Sequence, residues 1–247
     1  MKKKLVSIII PYFKKKKYFL KTISSIKSQT YKKFEIIVIY DDIDKSDLNF
    51  IKKLSVIKKF KLIINKKNLG AGLSRNIGIK KSKGFYLAFL DSDDLWTRNK
   101  LEYQIKFMEK KKISFSHTSY SIIDSSGKNI GFRNASPNLN FKKLLNSCDI
   151  GLSTVVLKKK ILKGLSFSDI TTKEDFVLWL KLSRKYQLVG INKNLAKWRK
   201  LNNSLSSNIF QKISDGFKVY NYYMKFNYIK SLIYLIILSI NFLKKKV

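Results

Sequence analysis

Phe34-Glu-Ile-Ile-Val-Ile-Tyr-Asp-Asp42 is a nearly unbroken apolar run that ends on two carboxylates. A run of this kind reads as a strand buried on both faces, the signature of a parallel sheet covered by helices. Outward from it, Val6–Ile10 has the same character, Leu62–Ile64 is a third run and Phe85–Leu90 a fourth. Between them, Tyr18–Ser28 carries Phe19, Ile23 and Ile26 at helical spacing. Leu73, Ile77 and Ile79 suit a helix opening after the flexible Gly70-Ala71-Gly72. The alternation predicts an α/β domain with a mainly parallel central sheet wound by helices on both faces.

In such sheets ligands bind outside the carboxyl ends of the strands. Acids sit at that edge twice: Tyr40-Asp41-Asp42 ends the second strand and Asp91-Ser92-Asp93-Asp94 ends the fourth. They carry weight because the chain has 16 acidic residues against 52 basic ones. Strand-end aspartates often cap turns. Two clusters on one edge, however, repel unless a cation or donor groups compensate them. A hard divalent cation held by one or two carboxylates plus substrate phosphates is the usual solution.

Further along, the spacing predicts a helix over Leu101–Lys110, extended chain over Ile113–Ile123 and a turn at Asp124–Gly127. Thr172–Tyr186 reads as a helix with Phe176, Trp179, Leu180 and Ser183 on one face, and Leu188–Ile191 as extended. Asn202–Asn208 has the composition of a linker. Beyond it Ile209, Phe210, Ile213, Phe217, Tyr220 and Met224 recur at helical spacing, followed by the apolar Ile229–Leu243 and Lys244–Lys246. The organisation expected is one domain over residues 1–206 and a helical extension over 207–247.

A chain of 247 residues with 45% hydrophobic and 13% aromatic residues builds a real core. The net charge of +36 attracts polyanions and acidic membrane leaflets. The lysines are spread over every predicted element and form no stripe, so nucleic acid is not an expected partner. Cys148 is the only cysteine, which excludes a disulfide framework and a cysteine zinc site. The apolar start, Leu5 to Ile10, meets Pro11 and Lys14–Lys17 without a small-residue cleavage site, so it reads as a strand and not an export signal. The expected location is cytoplasmic, with peripheral contact at the inner face of the cell membrane open.

Val6-Ser-Ile-Ile-Ile-Pro11, Phe34–Asp42, Arg75-Asn-Ile-Gly78 and Phe89-Leu-Asp-Ser-Asp-Asp-Leu-Trp96 together resemble, in order and spacing, the family 2 glycosyltransferases of bacterial polysaccharide assembly. The resemblance runs from about Lys4 to Ser206. It implies the GT-A fold and inverting transfer of a sugar from a nucleoside diphosphate, UDP by family frequency, to a glycan or lipid-linked acceptor. It also implies residue roles. Pro11, Tyr12 and Phe13 would line the nucleoside pocket, and Asp42, with Asp41 beside it, would accept a hydrogen bond from the base. Arg75 would face the nucleotide. Asp91 would reach the ribose or the metal, and Asp93 would bind Mn²⁺ or Mg²⁺ on the diphosphate. Asp175, with Glu174 second, would be the catalytic base; both acids also suit the first turn of a helix without any catalytic role.

The chain departs from the family pattern at three places. Tyr12-Phe13-Lys14 replaces Thr-Tyr-Asn, and Asp41-Asp42-Ile43-Asp44 replaces Asp-Asp-Gly-Ser. Trp198-Arg199-Lys200-Leu201 stands where many relatives carry Tyr-Arg-x-His with a metal-site histidine. Arg199 or Lys200 is then a candidate for the diphosphate, while His117, the only histidine, reads as structural. A nucleotide-binding protein without turnover and a basic membrane-surface protein are the alternative readings. Ile229–Leu243 spans 15 residues, about 22 Å of helix, short of the ~30 Å hydrocarbon core. It fits an interfacial helix or one packed on protein.

Overall fold

The computed structural model describes residues 3–201 and 208–244. The first half runs β1 (Val6–Tyr12), α1 (Lys16–Lys27), β2 (Phe34–Tyr40), α2 (Leu48–Ile57), β3 (Lys61–Ile64), α3 (Gly70–Lys81) and β4 (Tyr86–Phe89). Next come β5 (Leu95–Trp96), α4 (Lys100–Lys110), β6 (Phe115–Ile123), β7 (Asn129–Arg133), β8 (Asn138–Leu139), α5 (Phe141–Asn146) and β9 (Val156–Lys158). The chain continues through α6 (Glu174–Ser183), β10 (Leu188–Arg199), α7 (Ile209–Lys218) and α8 (Tyr228–Lys244).

All ten strands join one sheet in the order β3-β2-β1-β4-β9-β6-β10-β5, with β7 on β6 and β8 on β10. Pairings among β3, β2, β1 and β4 are parallel. Beyond β4 the sheet is mixed. β9 runs antiparallel to both β4 and β6, while β10 lies parallel to β6 and antiparallel to β5. The parallel character read from the apolar runs therefore belongs to the first half, where β-α-β crossovers cover both faces.

Two apolar layers flank the sheet because successive side chains alternate faces. Ile8, Ile10 and Tyr12 of β1 pack with α1, α2 and α4, whereas Ile9 packs on the opposite side with Phe89, Phe115, Trp179 and the rest of α6. α3 lies close to the sheet because Gly78 presents no side chain; a Cβ there would collide with Ile9 and Ile39. The segment between α7 and α8 and one face of α8 join the second layer: Val219, Tyr220, Met224 and Leu238 are buried in it, and Tyr220 Oη donates to Leu145 O at 2.7 Å. The expected linker at Asn202–Asn208 and the boundary at 206/207 fall almost wholly outside the described residues. Among the described residues no helix is long and apolar enough to cross a membrane.

Candidate active site

The carboxyl ends of β1, β2 and β4 and the N-termini of α3 and α6 surround a cleft of about 600 Å³. Pro11, Phe13, Lys15, Asp41, Arg75, Asp91, Asp93, Glu174 and Asp175 are among the residues that line it. The structure thus brings most of the sequence-derived candidates to one place. The exceptions are Tyr12, Asp42 and Lys200.

Tyr12 is a correction. Its side chain is fully buried on the far side of the sheet, stacked on Tyr40 and donating to Asp47 Oδ2 at 2.7 Å. Burial, then the Asp47 hydrogen bond, pushes its pKa well above the usual phenol value. The reason is strand alternation: if Pro11 and Phe13 face the cleft, Tyr12 cannot. Asp42 is buried behind the cleft wall, where Oδ1 accepts Asp44 N at 3.1 Å and Oδ2 has no hydrogen-bond partner. Asp41 acts as a brace. Its carboxylate accepts from Asn65 Nδ2 (2.7 Å), Leu69 N (2.9 Å) and Gly70 N (2.8 Å), pinning the start of α3 to the end of β2.

Arg75, expected to face the nucleotide, lines the cleft but is held by protein groups. Its guanidinium is buried and bridges two acids, Nη1 to Glu174 Oε1 at 2.5 Å and Nη2 to Asp91 Oδ1 at 2.7 Å. Burial opposes the charge, but Asp91 and Glu174 outweigh it and hold the arginine firmly protonated. Gly72 permits this meeting of α3 and α6, since a Cβ there would strike Ser168 O and the Glu174 side chain.

Asp93 pairs with Lys15 Nζ at 3.1 Å, and burial raises its pKa despite that cation. Asp94 points inward. It accepts from Ser153 Oγ (2.5 Å) and from Arg199 N (2.8 Å), with its pKa raised by burial and then by Asp93 and Asp91. Arg199 is a strut: Nε donates to Asp93 O at 2.9 Å and Nη1 to Asp124 O at 2.7 Å, with the guanidinium 4.7 Å from the Tyr18 ring centre. Its hydrogen bonds tie the Asp91–Asp94 loop to the turn after β6.

Asp175 is half-buried at the start of α6, and its Oδ1 accepts Phe176 N at 2.7 Å. Burial, followed by the Glu174 charge, lifts its pKa to about 7. His117 is buried and, through desolvation, held near 4, so it stays neutral and away from the cleft.

Lys15, Ser153 and Lys173 entered the site unannounced. Lys15 stands inside a run of four lysines with nothing local to single it out. Lys173, which lines the cleft, is held at φ 64° just before α6. Among the described residues no group of three or more His, Cys, Asp or Glu gathers in metal-binding geometry. Asp91 and Asp93 nevertheless both line the cleft on one loop, each balanced by one basic side chain. Two such carboxylates are a sufficient protein share for a hard cation whose other ligands are phosphate oxygens and water.

The fold and this cleft place the protein in a known class, the GT-A glycosyltransferases. A UDP-GlcNAc complex of S. aureus TarS matches 88% of this chain and 65% of TarS with TM-score 0.72 at 19% identity. A mannosyltransferase from Pyrobaculum calidifontis, bound to GDP-Man and Mn²⁺, matches 90% of this chain and 64% of its own with TM-score 0.66 at 12% identity. The model of the family described as "Glycosyl transferase family 2" matches residues 7–164. The chain belongs to that family.

Among curated relatives, the Escherichia coli protein named UDP-Glc:alpha-D-GlcNAc-diphosphoundecaprenol beta-1,3-glucosyltransferase WfgD is 38% identical over 87% of this chain and 85% of its own length. The putative teichuronic acid biosynthesis glycosyltransferase TuaG of Bacillus subtilis is 30% identical over 93% and 92%. An uncharacterized glycosyltransferase of Rickettsia bellii is 43% identical over 78% of this chain, which spans only 28% of that longer protein.

Proposed function

We propose that the protein transfers a hexosyl unit from a UDP-sugar to a saccharide hydroxyl on a lipid-linked diphosphate at the inner membrane face, with inversion. The name of the E. coli relative supports the donor and acceptor classes. Pro11, Phe13 and Asp41 form the nucleoside end of the cleft. Asp91 and Asp93 would hold Mn²⁺ or Mg²⁺ against the diphosphate. Such an ion acts as a Lewis acid and neutralises charge on the leaving group.

The observation that carries the reading is the division between the two acids that open α6. Glu174 is spent on Arg75, whereas Asp175 faces the cleft with a pKa of about 7. A carboxylate of that basicity removes a proton from an acceptor hydroxyl more effectively than an ordinary one. With Asp175 as base, a single displacement at the anomeric carbon needs no covalent intermediate on the protein.

Calorimetry of UDP binding with and without Mn²⁺, on wild type and Asp93→Asn, tests the donor site. Binding is expected only with Mn²⁺ and is lost in the variant. Failure of UDP, GDP and dTDP alike would overturn the reading. Asp175→Asn should keep UDP binding and lose about 10²–10⁴-fold in transfer rate.

A further inference from the structure

We propose that the exposed apolar face of α8, with the start of α7 beside it, docks on an anionic lipid bilayer. The inference rests on the lipid-linked acceptor proposed above and adds the surface that meets the membrane.

α8 has two opposite faces. Ser231 and Leu238 are buried against the domain, and Asn241 Nδ2 donates to Asn146 O at 2.9 Å. On the other side Ile229, Leu232, Ile233, Ile236, Ile240 and Leu243 are all exposed, between 37% and 71%. Their spacing of three, four and seven residues puts them in one stripe along the helix. A stripe of large aliphatic side chains facing water marks an interaction surface. α7 lies antiparallel alongside: Gly216 faces Leu235, and Phe217 packs 5.2 Å from Tyr228. It adds exposed Phe210 and Ile213.

Charge selects the occupant. Asp215 is the one acid of residues 208–247, and it is buried on Thr172. Lys230 and Lys244 on α8, with Lys218 and Lys225 on the chain leading to it, are exposed. This all-positive set repels a second copy of the same helix and attracts anionic headgroups. At 17 residues, α8 is about 25 Å long, too short for the ~30 Å hydrocarbon core. It therefore lies in the interface.

The mount is tied to the site. Asp215 on α7 accepts from Thr172 N (2.8 Å) and Thr172 Oγ1 (3.0 Å), three residues before Asp175. A bilayer under α7 and α8 is thus fixed relative to the side of the cleft where the acceptor would enter.

Vesicle flotation of the full chain, with phosphatidylcholine alone and with 30 mol% phosphatidylglycerol (about one anionic lipid in three), tests this without donor or acceptor. The protein should float with the anionic vesicles and only weakly with the neutral ones. I233D/I236D should lower the bound fraction at least about tenfold with an unchanged circular dichroism spectrum, while F132S, on a distant exposed strand residue, should bind as wild type. Equal flotation of I233D/I236D and wild type would overturn the proposal. So would a wild-type dimer by light scattering that the double variant converts to monomer, since a second copy would then cover the face. The donor reading stands or falls separately on UDP calorimetry, which these exposed substitutions should not move.

Discussion

Asp175 and Glu174 are adjacent in sequence, yet their surroundings separate them. Glu174 meets a buried guanidinium, while burial and the Glu174 charge hold the Asp175 proton to about pH 7. A base must be deprotonated, so kcat/KM should climb about tenfold per pH unit below 7 and level off above it; initial rates between pH 5 and 9 check this. Stability should carry the same signature with the opposite slope. Between about pH 4 and 7 the folded state keeps a proton that the unfolded chain has released, so this group's contribution is lost as pH rises through its folded pKa. Asp175→Asn should therefore raise the melting temperature more at pH 8 than at pH 5. At this scale the sequence named the acids but not their partners. Arg75 and Glu174 lie 99 positions apart, and no local spacing announces such a pair. The far-side placement of Tyr12, in contrast, follows from strand alternation alone and was open to a stricter reading of Val6–Tyr12.

Elements near the parallel half were legible to within one or two residues, because doubly covered strands must be apolar throughout. α2 went unread: its buried residues are only Leu48, Ile51 and Leu54, set among lysines and exposed Val56 and Ile57. The glycines of Gly70-Ala71-Gly72 looked like a flexible lead-in and are instead the first turn of α3. Gly70 starts it with φ +82°, and Gly72 lets Glu174 and the Ser168 carbonyl approach. Gly72→Ala should cost about 1–3 kcal/mol by overpacking. Urea denaturation is the measurement, and a change below about 0.5 kcal/mol would mean that α3 and α6 are not held in this close contact.

Over the whole molecule, the +36 charge is distributed, and even the interior takes a share. Lys100 is buried with its ammonium 2.6 Å from Gln104 Oε1 and 4.2 Å from the Trp96 ring centre, its pKa depressed by desolvation. Such a surface should hold polyanions non-specifically, with binding that falls steeply between about 50 and 200 mM salt. UDP binding with Mn²⁺ should change far less over the same range, a contrast that a heparin competition and a calorimetric titration resolve together. Composition points to polyanion affinity, but not to where the exposed apolar face lies. Ile229–Leu243 fits a packed and an interfacial helix equally well as a string, and only the fold decides which residues the domain covers.

The antiparallel seam between β4 and β9 also bears on how such a protein diversifies. Every strand of the parallel half comes from the first 89 residues, and the family match ends at 164, ahead of α6 and both of its acids. Under the proposed roles, the donor meets residues of the first block, and the acceptor meets an acid of the second. Changes confined to the surroundings of Asp175 would then alter the linkage made while the donor end of the cleft stays the same.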